Sequence, residues 1–167
     1  PKKSLGQNFL QDENISNIIV EAGAINNNET VLELVSGTGN LTNKILTKNP
    51  RKVFAVETDK LLAEKLNERF KKTIHLINDD ILKIEEKNFS DKPMIVFGNL
   101  PYNISTQILV KWIRLNNLNK TFKKFILMFQ KEVAERIIAK TNSKNYGRLS
   151  VLSSWKLKIK KVTDVSP

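Results

Sequence analysis

The sequence contains no cysteine and a single histidine, His75. The lack of cysteine excludes disulfide bonds, cysteine-ligated zinc and a thiol nucleophile. It therefore also excludes enzymes that methylate ring carbons through a thiol adduct. His75 lies in the alternating stretch at residues 73–77, which favours a place in a strand over a catalytic role. We predict no metal site.

Long apolar runs are also absent. A transmembrane helix needs about 18 consecutive apolar residues, and no such run occurs. The polar start at residues 1–4 is not followed by the apolar segment of a signal peptide. We expect a cytoplasmic protein and a monomer. With 167 residues, 40% of them hydrophobic, the chain suits one domain with its own core.

Negative charge is scarce relative to positive charge. The chain has 28 Lys and Arg residues against 17 Asp and Glu residues, a formal net charge of +11. An excess of this size favours a polyanionic partner such as nucleic acid. The alternative is a lysine-rich surface that only keeps the protein in solution.

Short apolar runs alternate with helical patterns along the chain. This alternation predicts an α/β fold with a mostly parallel sheet that helices cover on both faces. Five strands are predicted, at residues 30–35, 53–56, 73–77, 94–97 and 125–129. Residues 157–160 alternate in the same way and predict a further strand.

Each distinctive polar cluster follows one of these strands. In open parallel sheets, ligands bind beyond the carboxyl ends of the strands, where the strand order reverses. The clusters are residues 36–39, Glu57, Asp79-Asp80 and residues 99–102. Their shared position predicts one binding site at this edge of the sheet.

The turn at Gly37 and Gly39 is the first of these clusters. Glycines let a backbone approach a ligand closely, and Glu57, which ends the second strand, can accept both hydroxyls of a ribose. The turn lacks both a complete G-x-G-x-x-G and a basic residue for a pyrophosphate. This favours a nucleoside cofactor without phosphates over NAD. Asp79 or Asp80 could accept an adenine amino proton, or the pair could form a solvated turn or helix cap.

Asn99-Leu100-Pro101-Tyr102 follows the fourth strand and precedes a helix. The Asn99 amide oxygen can accept a hydrogen bond from an amino group. Pro101 stiffens the turn and allows the Leu100 carbonyl to point outward. Tyr102 offers a flat face for a nucleobase. These residues suit an exocyclic amine on a heterocycle, although a strand-to-helix turn capped by Asn would explain them too.

Several motifs together resemble the ribosomal RNA adenine N6-dimethyltransferases. They are residues 7–10, the 33–42 turn, Glu57, Asp80 and residues 99–106. Residues 128–137 and 142–151 resemble the small-subunit (KsgA) branch more than the macrolide-resistance (Erm) branch. The resemblance implies a Rossmann-like methyltransferase fold, S-adenosylmethionine as cofactor, and dimethylation of adenine N6. Small-subunit 16S-type ribosomal RNA, within a pre-30S-type particle, would be the substrate.

The resemblance also assigns site residues. The catalytic group would be Asn99, Leu100, Pro101 and Tyr102. The cofactor would contact Gln7, Asn8, Leu10, Val35, Gly37, Gly39, Glu57, Thr58, Asp80, Ile81 and Asn99. Within this set, Glu57 would hold the ribose, Asp80 the adenine amino group and the Ile81 backbone the adenine ring edge.

The chain departs from the family pattern in two places. Val35 and Ser36 stand where the family usually has glycine and proline, which could crowd the cofactor or force another backbone path. The family also continues beyond residue 167 with a Phe-Pro-rich segment, a last strand and a helical RNA-binding domain. We expect residues 1–167 to be the methyltransferase catalytic domain of a longer protein, without the final strand of its sheet.

Basic residues near the predicted site are candidates for RNA contact. We predict phosphate contacts from Lys120, Lys123, Lys124, Lys140, Lys144 and Arg148, because they flank loops near that site. Lys156, Lys158 and Lys160 fit better as charges that protect an edge strand. Two other functions stay open: an RNA-binding or ribosome-assembly module without turnover, and a nicotinamide oxidoreductase.

Overall fold

One parallel sheet forms the centre of the molecule. The computed structural model describes residues 12–165, apart from the side chain of Tyr102. In this part of the chain five strands form the sheet, in the order β3-β2-β1-β4-β5, and every neighbouring pair is parallel. The strands are β1 (Thr30–Leu34), β2 (Lys52–Val56), β3 (His75–Ile77), β4 (Met94–Asn99) and β5 (Phe122–Met128).

Helices connect the strands and cover both faces of the sheet. They are α1 (Glu13–Gly23), α2 (Asn40–Leu46), α3 (Lys60–Phe70), α4 (Tyr102–Ile113), α5 (Leu118–Thr121), α6 (Lys131–Ile137) and α7 (Arg148–Lys156). Short 3₁₀ turns occur at Lys71–Thr73 and Glu86–Asn88. No helix within residues 12–165 has the length and apolar character needed to cross a membrane.

The core has two main layers because successive residues of a strand point to opposite faces. All five residues of β1 are buried. Val31 packs in a cluster with residues of α1, α2 and α3. Leu32 and Leu34 pack in a second cluster with residues of α4. The two-sided burial confirms the predicted architecture and explains why β1 reads as a continuous apolar run interrupted only by Glu33.

The strand order reverses between β1 and β4. The chain first builds outward from β1 to β2 and β3, then returns to place β4 on the other side of β1. In the pairing register, Leu34 lies beside both Val56 of β2 and Gly98 of β4. The residues just beyond these positions, Val35, Glu57 and Asn99, are therefore neighbours at the predicted edge.

The strand predicted at residues 157–160 is wrong. These residues follow α7 without regular secondary structure. Alternation indicates only that two faces differ in polarity, whereas a strand also needs a neighbour for its backbone hydrogen bonds. The edge-strand interpretation of Lys156, Lys158 and Lys160 is consequently also wrong, and Lys156 is the last residue of α7.

Candidate active site

The turn after β1 forms one wall of the candidate site. Val35 donates its backbone N–H to the Val56 carbonyl at 2.8 Å, which extends the β1–β2 pairing. Val35, Gly37 and Gly39 have φ angles of 55°, 55° and 80°. A positive φ suits glycine but is strained for a β-branched residue. Val35 thus takes a conformation that the glycine typical of the family would adopt freely.

Helix α3 shapes the far end of this turn. A Cβ atom on Gly39 would lie 2.4 Å from Cε2 of Phe70, so only glycine fits between the turn and α3. The Arg69 guanidinium donates to the Thr38 carbonyl at 2.7 Å. The glycine at position 39 is therefore explained by packing against α3, and Arg69 is a basic residue beside the turn that the sequence pattern did not reveal.

Glu57 lies directly behind the turn. Its Oε2 accepts the Gly37 N–H at 2.9 Å and its Oε1 accepts the Asp59 N–H at 3.0 Å. The residue is 3% exposed. Each carboxylate oxygen can accept a second hydrogen bond, so Glu57 keeps acceptor capacity for hydroxyl groups. Thr58 follows, with its hydroxyl donating to the Asp79 carbonyl at 3.4 Å.

A second carboxyl group, Glu33, is buried in β1 below the turn. The Thr42 hydroxyl donates to Glu33 Oε2 at 2.5 Å. The pKa of Glu33 is raised to about 8, chiefly by burial and to a smaller extent by the nearby Glu57 carboxylate, while the Thr42 and Ser36 hydroxyls oppose the shift. The Ser36 hydroxyl is itself buried, without a hydrogen bond of good geometry among the described residues. Glu33 is consequently a neutral acid at neutral pH.

Asp80 begins a compact turn after β3. Its Oδ1 accepts the Leu82 N–H at 2.9 Å, and its carbonyl accepts the Lys83 N–H at 2.8 Å. Asp79 accepts the Asp80 N–H at 2.7 Å. Ile81 is 1% exposed. Both carboxylates therefore stabilise the local turn, as the alternative interpretation of the pair expected, and contact of Asp80 with an adenine stays a prediction.

The motif that begins at Asn99 forms the opposite wall. Asn99 is the last residue of β4 and is half-buried, and Leu100 is buried in the α4 layer. The Pro101 carbonyl accepts the Ser105 N–H at 3.0 Å and so starts α4. Asn99 through Pro101 and Val35 through Thr38 line the same open groove. The structure thus brings together the two walls that the sequence predicted.

The structure does not describe the positions of some predicted site residues. Gln7, Asn8 and Leu10 lie outside the described residues, as does the Tyr102 side chain. Contacts from these four to a cofactor or target base stay predictions.

The six cations predicted to contact RNA lie in two separate places. Lys120, Lys123 and Lys124 lie at the amino end of β5, whereas Met128, at its carboxyl end, pairs with Asn99. Lys124 lies four strand residues, about 13 Å, from Met128. Lys123 and Lys124 nevertheless line the same open groove as Asn99, so phosphate contacts from the three lysines stay predictions. Lys123 pairs with Glu29, and Lys124 donates to the Ala22 and Gly23 carbonyls. Lys140, Lys144 and Arg148 are exposed at and before the start of α7.

A partly buried cluster of polar side chains behind the Asp80 turn was not predicted. Lys111 of α4 donates to the Ile81 and Ile84 carbonyls and to Glu86, and Trp112 donates to the same Glu86 oxygen. The sequence held one indication of this cluster. Position 111 continues the apolar stripe of Ile104 and Ile108 at helical spacing, and a lysine on an apolar face needs a polar partner.

The parallel sheet with its site at the β1–β4 reversal defines a Rossmann-like, S-adenosylmethionine-dependent methyltransferase fold. A family model described as ribosomal RNA adenine dimethylase matches residues 1–167. The chain belongs to this family.

Relatives agree with the family match and with the predicted small-subunit branch. Ribosomal RNA small subunit methyltransferase A of Pelagibacter ubique (strain HTCC1062) is 56% identical over 166 residues. The match covers 99% of this chain and 63% of the relative, so the chain spans less than two thirds of that protein's length.

Two solved structures are also similar. A dimethyladenosine transferase from Plasmodium falciparum has a TM-score of 0.79 and 31% identity, over 90% of this chain and 54% of that chain. The 23S rRNA methyltransferase ErmE has a TM-score of 0.69 and 26% identity, over 86% of this chain and 55% of that chain.

Proposed function

We propose that this chain is the catalytic domain of an enzyme that dimethylates adenine N6 in small-subunit ribosomal RNA with S-adenosylmethionine. The main observation is that the Val35–Thr38 turn and the Asn99–Pro101 turn line one groove at the strand reversal. The names of the relatives support the reaction and the substrate. Family membership leaves no support for a nicotinamide oxidoreductase.

The residues of the first wall fit a nucleoside cofactor. Glu57 would accept the ribose hydroxyls with its remaining lone pairs, and Asp80 the adenine amino group. Ile81 and Thr58 would border the adenine, and the turn with Val35, Gly37 and Gly39 would run past the amino-acid part. The cofactor, when bound, supplies an electrophilic methyl group on a sulfonium.

The second wall would prepare the target amine. The N6 lone pair of adenine is delocalised into the ring and is a poor nucleophile. The Asn99 amide oxygen and the Leu100 carbonyl would accept the two amine protons and favour a pyramidal nitrogen, while Pro101 keeps the turn rigid. Positioning and electrostatics would therefore carry most of the catalysis. The base must leave its stack to reach this turn, and Tyr102 would stack on it.

Replacing Asn99 tests this role. Asn99→Ala should lower methyl transfer by about 100-fold or more, as loss of a transition-state hydrogen bond does, while affinity for S-adenosylmethionine changes little. Labelled methyl incorporation into small-subunit ribosomal RNA, read by mass spectrometry, measures the first quantity and calorimetry the second. Asn67→Ala, on the exposed side of α3, is the matched control. Full activity in Asn99→Ala overturns the proposed role.

A second candidate function is an RNA-binding or ribosome-assembly module with little or no turnover. It is favoured by the strained φ of 55° at Val35, in the turn that would border the cofactor. Calorimetry with the unaltered chain separates the two functions. RNA binding without detectable S-adenosylmethionine binding would support the module and overturn the enzyme.

The partners follow from the proposed reaction. We propose that the protein acts as a monomer on small-subunit ribosomal RNA in a pre-30S-type particle. The net charge of +11 supports a polyanionic partner. A cytoplasmic location accords with that substrate.

A further inference from the structure

The ammonium group of the half-buried Lys111 donates all of its hydrogen bonds to protein atoms. Its Nζ lies 2.8 Å from the Ile81 carbonyl oxygen, 2.7 Å from the Ile84 carbonyl oxygen and 2.9 Å from Glu86 Oε1. An ammonium has three N–H donors, so all three are paired. Lys111 belongs to α4, whereas its acceptors belong to the segment that follows β3. The lysine therefore ties these two parts of the fold together.

One of these hydrogen bonds, to the Ile81 carbonyl, connects Lys111 to Asp80 through a single peptide unit. The Ile81 carbonyl and the Leu82 N–H belong to the same peptide unit. Lys111 holds the oxygen of that unit, and Asp80 Oδ1 accepts its N–H at 2.9 Å. A cation on the carbonyl polarises the peptide and strengthens the bond from its N–H. The orientation of the Asp80 carboxylate thus depends on a group 31 positions away along the chain.

The bond to Ile84 fixes the rest of the turn. The Ile84 N–H points back to the Asp80 carbonyl at 3.3 Å, while the Ile84 carbonyl accepts from Lys111. Lys111 therefore closes the turn from residue 80 to residue 84 in the manner of a cation at a helix carboxyl end.

Glu86 and Trp112 hold the lysine in place. Glu86 is 3% exposed, and its Oε1 also accepts the Trp112 Nε1–H at 2.7 Å. The Trp112 ring is fully buried and stacks on Phe125 with 4.9 Å between ring centroids. The positive charge of Lys111 balances the buried negative charge of Glu86. The lysine head group consequently has one well-defined position.

We infer that Lys111 is a positioning residue for the adenine half of the cofactor. It sets the Asp80 carboxylate through the peptide between Ile81 and Leu82. The inference rests on the proposed function, in which Asp80 accepts the adenine amino group. Helix α4 begins at Tyr102, directly after the Asn99–Pro101 wall. One rigid helix thus holds both the cofactor's base and the target turn in register.

The test compares two ligands that differ only in the amino group. S-adenosylhomocysteine carries it, and its 6-deamino analogue has hydrogen in its place. The unaltered chain should prefer the first ligand by about tenfold in Kd, as a hydrogen bond to a charged acceptor provides. Lys111→Met should lose most of this preference by weakening only S-adenosylhomocysteine. Calorimetry gives the four Kd values.

A second variant separates positioning from folding. Lys111→Met leaves the buried Glu86 charge without its cation, which destabilises the fold. The double variant Lys111→Met/Glu86→Gln removes that charge and keeps an oxygen for Trp112. Thermal unfolding without ligand should show the recovered stability. The ligand preference should stay lost, because the Ile81 and Ile84 carbonyls still lack their donor.

The outcomes are distinct. Loss of preference in both variants supports the inference. Equal weakening of both ligands, unchanged affinities, or a preference restored in the double variant overturns it. If the unaltered chain binds S-adenosylhomocysteine no better than its deamino analogue, Asp80 has no role toward the amino group and the inference fails. If the unaltered chain binds neither ligand, the proposed function fails first and the inference with it.

Discussion

At the scale of single residues, Glu33 links the stability of the fold to pH. Burial holds the pKa of its carboxyl at about 8 in the folded chain, against 4.5 when it is free in the unfolded chain. Between these values the folded state carries a proton that the unfolded state has lost. The contribution of Glu33 to the free energy of unfolding is therefore fully present below pH 4.5. It falls by ~1.4 kcal/mol per pH unit as the pH rises towards 8.

Glu33→Gln should remove this dependence, because an amide cannot titrate. The difference in unfolding free energy between variant and unaltered chain should grow in favour of the variant, by about 3 kcal/mol from pH 5 to pH 7.5. Urea unfolding at the two pH values measures it. Glu64→Gln, at an exposed position of α3, should show a nearly constant difference. Parallel behaviour of Glu33→Gln and Glu64→Gln would mean that Glu33 is ionised in the fold.

At position 35, glycine is expected to give a more stable protein than alanine, the reverse of their usual order within a helix. Its φ of 55° disfavours any residue with a Cβ atom. Val35→Gly should therefore be more stable than Val35→Ala, by about 0.5–1 kcal/mol after the greater flexibility of unfolded glycine is subtracted. Denaturant unfolding provides the comparison. At Val151, an exposed position of α7, alanine should instead be the more stable replacement.

At the scale of helices and strands, the sequence predicted the features that depend on local residue patterns, namely the buried strands and the polar turns that follow them. Strands β1 and β4 are buried on both faces, and β2 is largely so, so short apolar runs bounded by polar turns mark them well. Placing the polar clusters at the strand ends followed from parallel topology alone. This is why the turns at Val35–Thr38 and Asn99–Pro101 were expected to lie side by side at one edge of the sheet, as they do.

What the sequence did not predict depends on contacts between distant segments. Residues 157–160 alternate like a strand but have no strand beside them, and alternation carries no information about a partner. Lys111 meets Ile81, Ile84 and Glu86 across 25–30 positions. Such contacts exist only once the sheet is assembled. The same holds for Glu33, whose high pKa results from the layers packed around it.

At the scale of the whole molecule, the net charge of +11 comes from cations that differ in their surroundings, since some have partners within residues 12–165 and others have none there. At the amino end of β5, Lys123 is engaged by Glu29, and Lys124 by the carbonyls that end α1. Lys140, Lys144 and Arg148 are exposed, and no ion pair to them occurs among the described residues. Only unengaged cations can neutralise phosphates without first losing an internal partner.

The two groups of three cations should therefore differ in their effect on RNA binding. Replacing Lys140, Lys144 and Arg148 together with alanine should weaken binding and lower the slope of log affinity against log salt by about 2, as expected for three contacts to a single strand. Replacing Lys120, Lys123 and Lys124 removes the same charge from the amino end of β5 and should change the slope by less than half as much. Fluorescence anisotropy with one short single-stranded RNA, at several salt concentrations, measures both slopes. Equal slopes for the two triple variants would mean that net charge alone, rather than its placement, controls RNA binding by this chain.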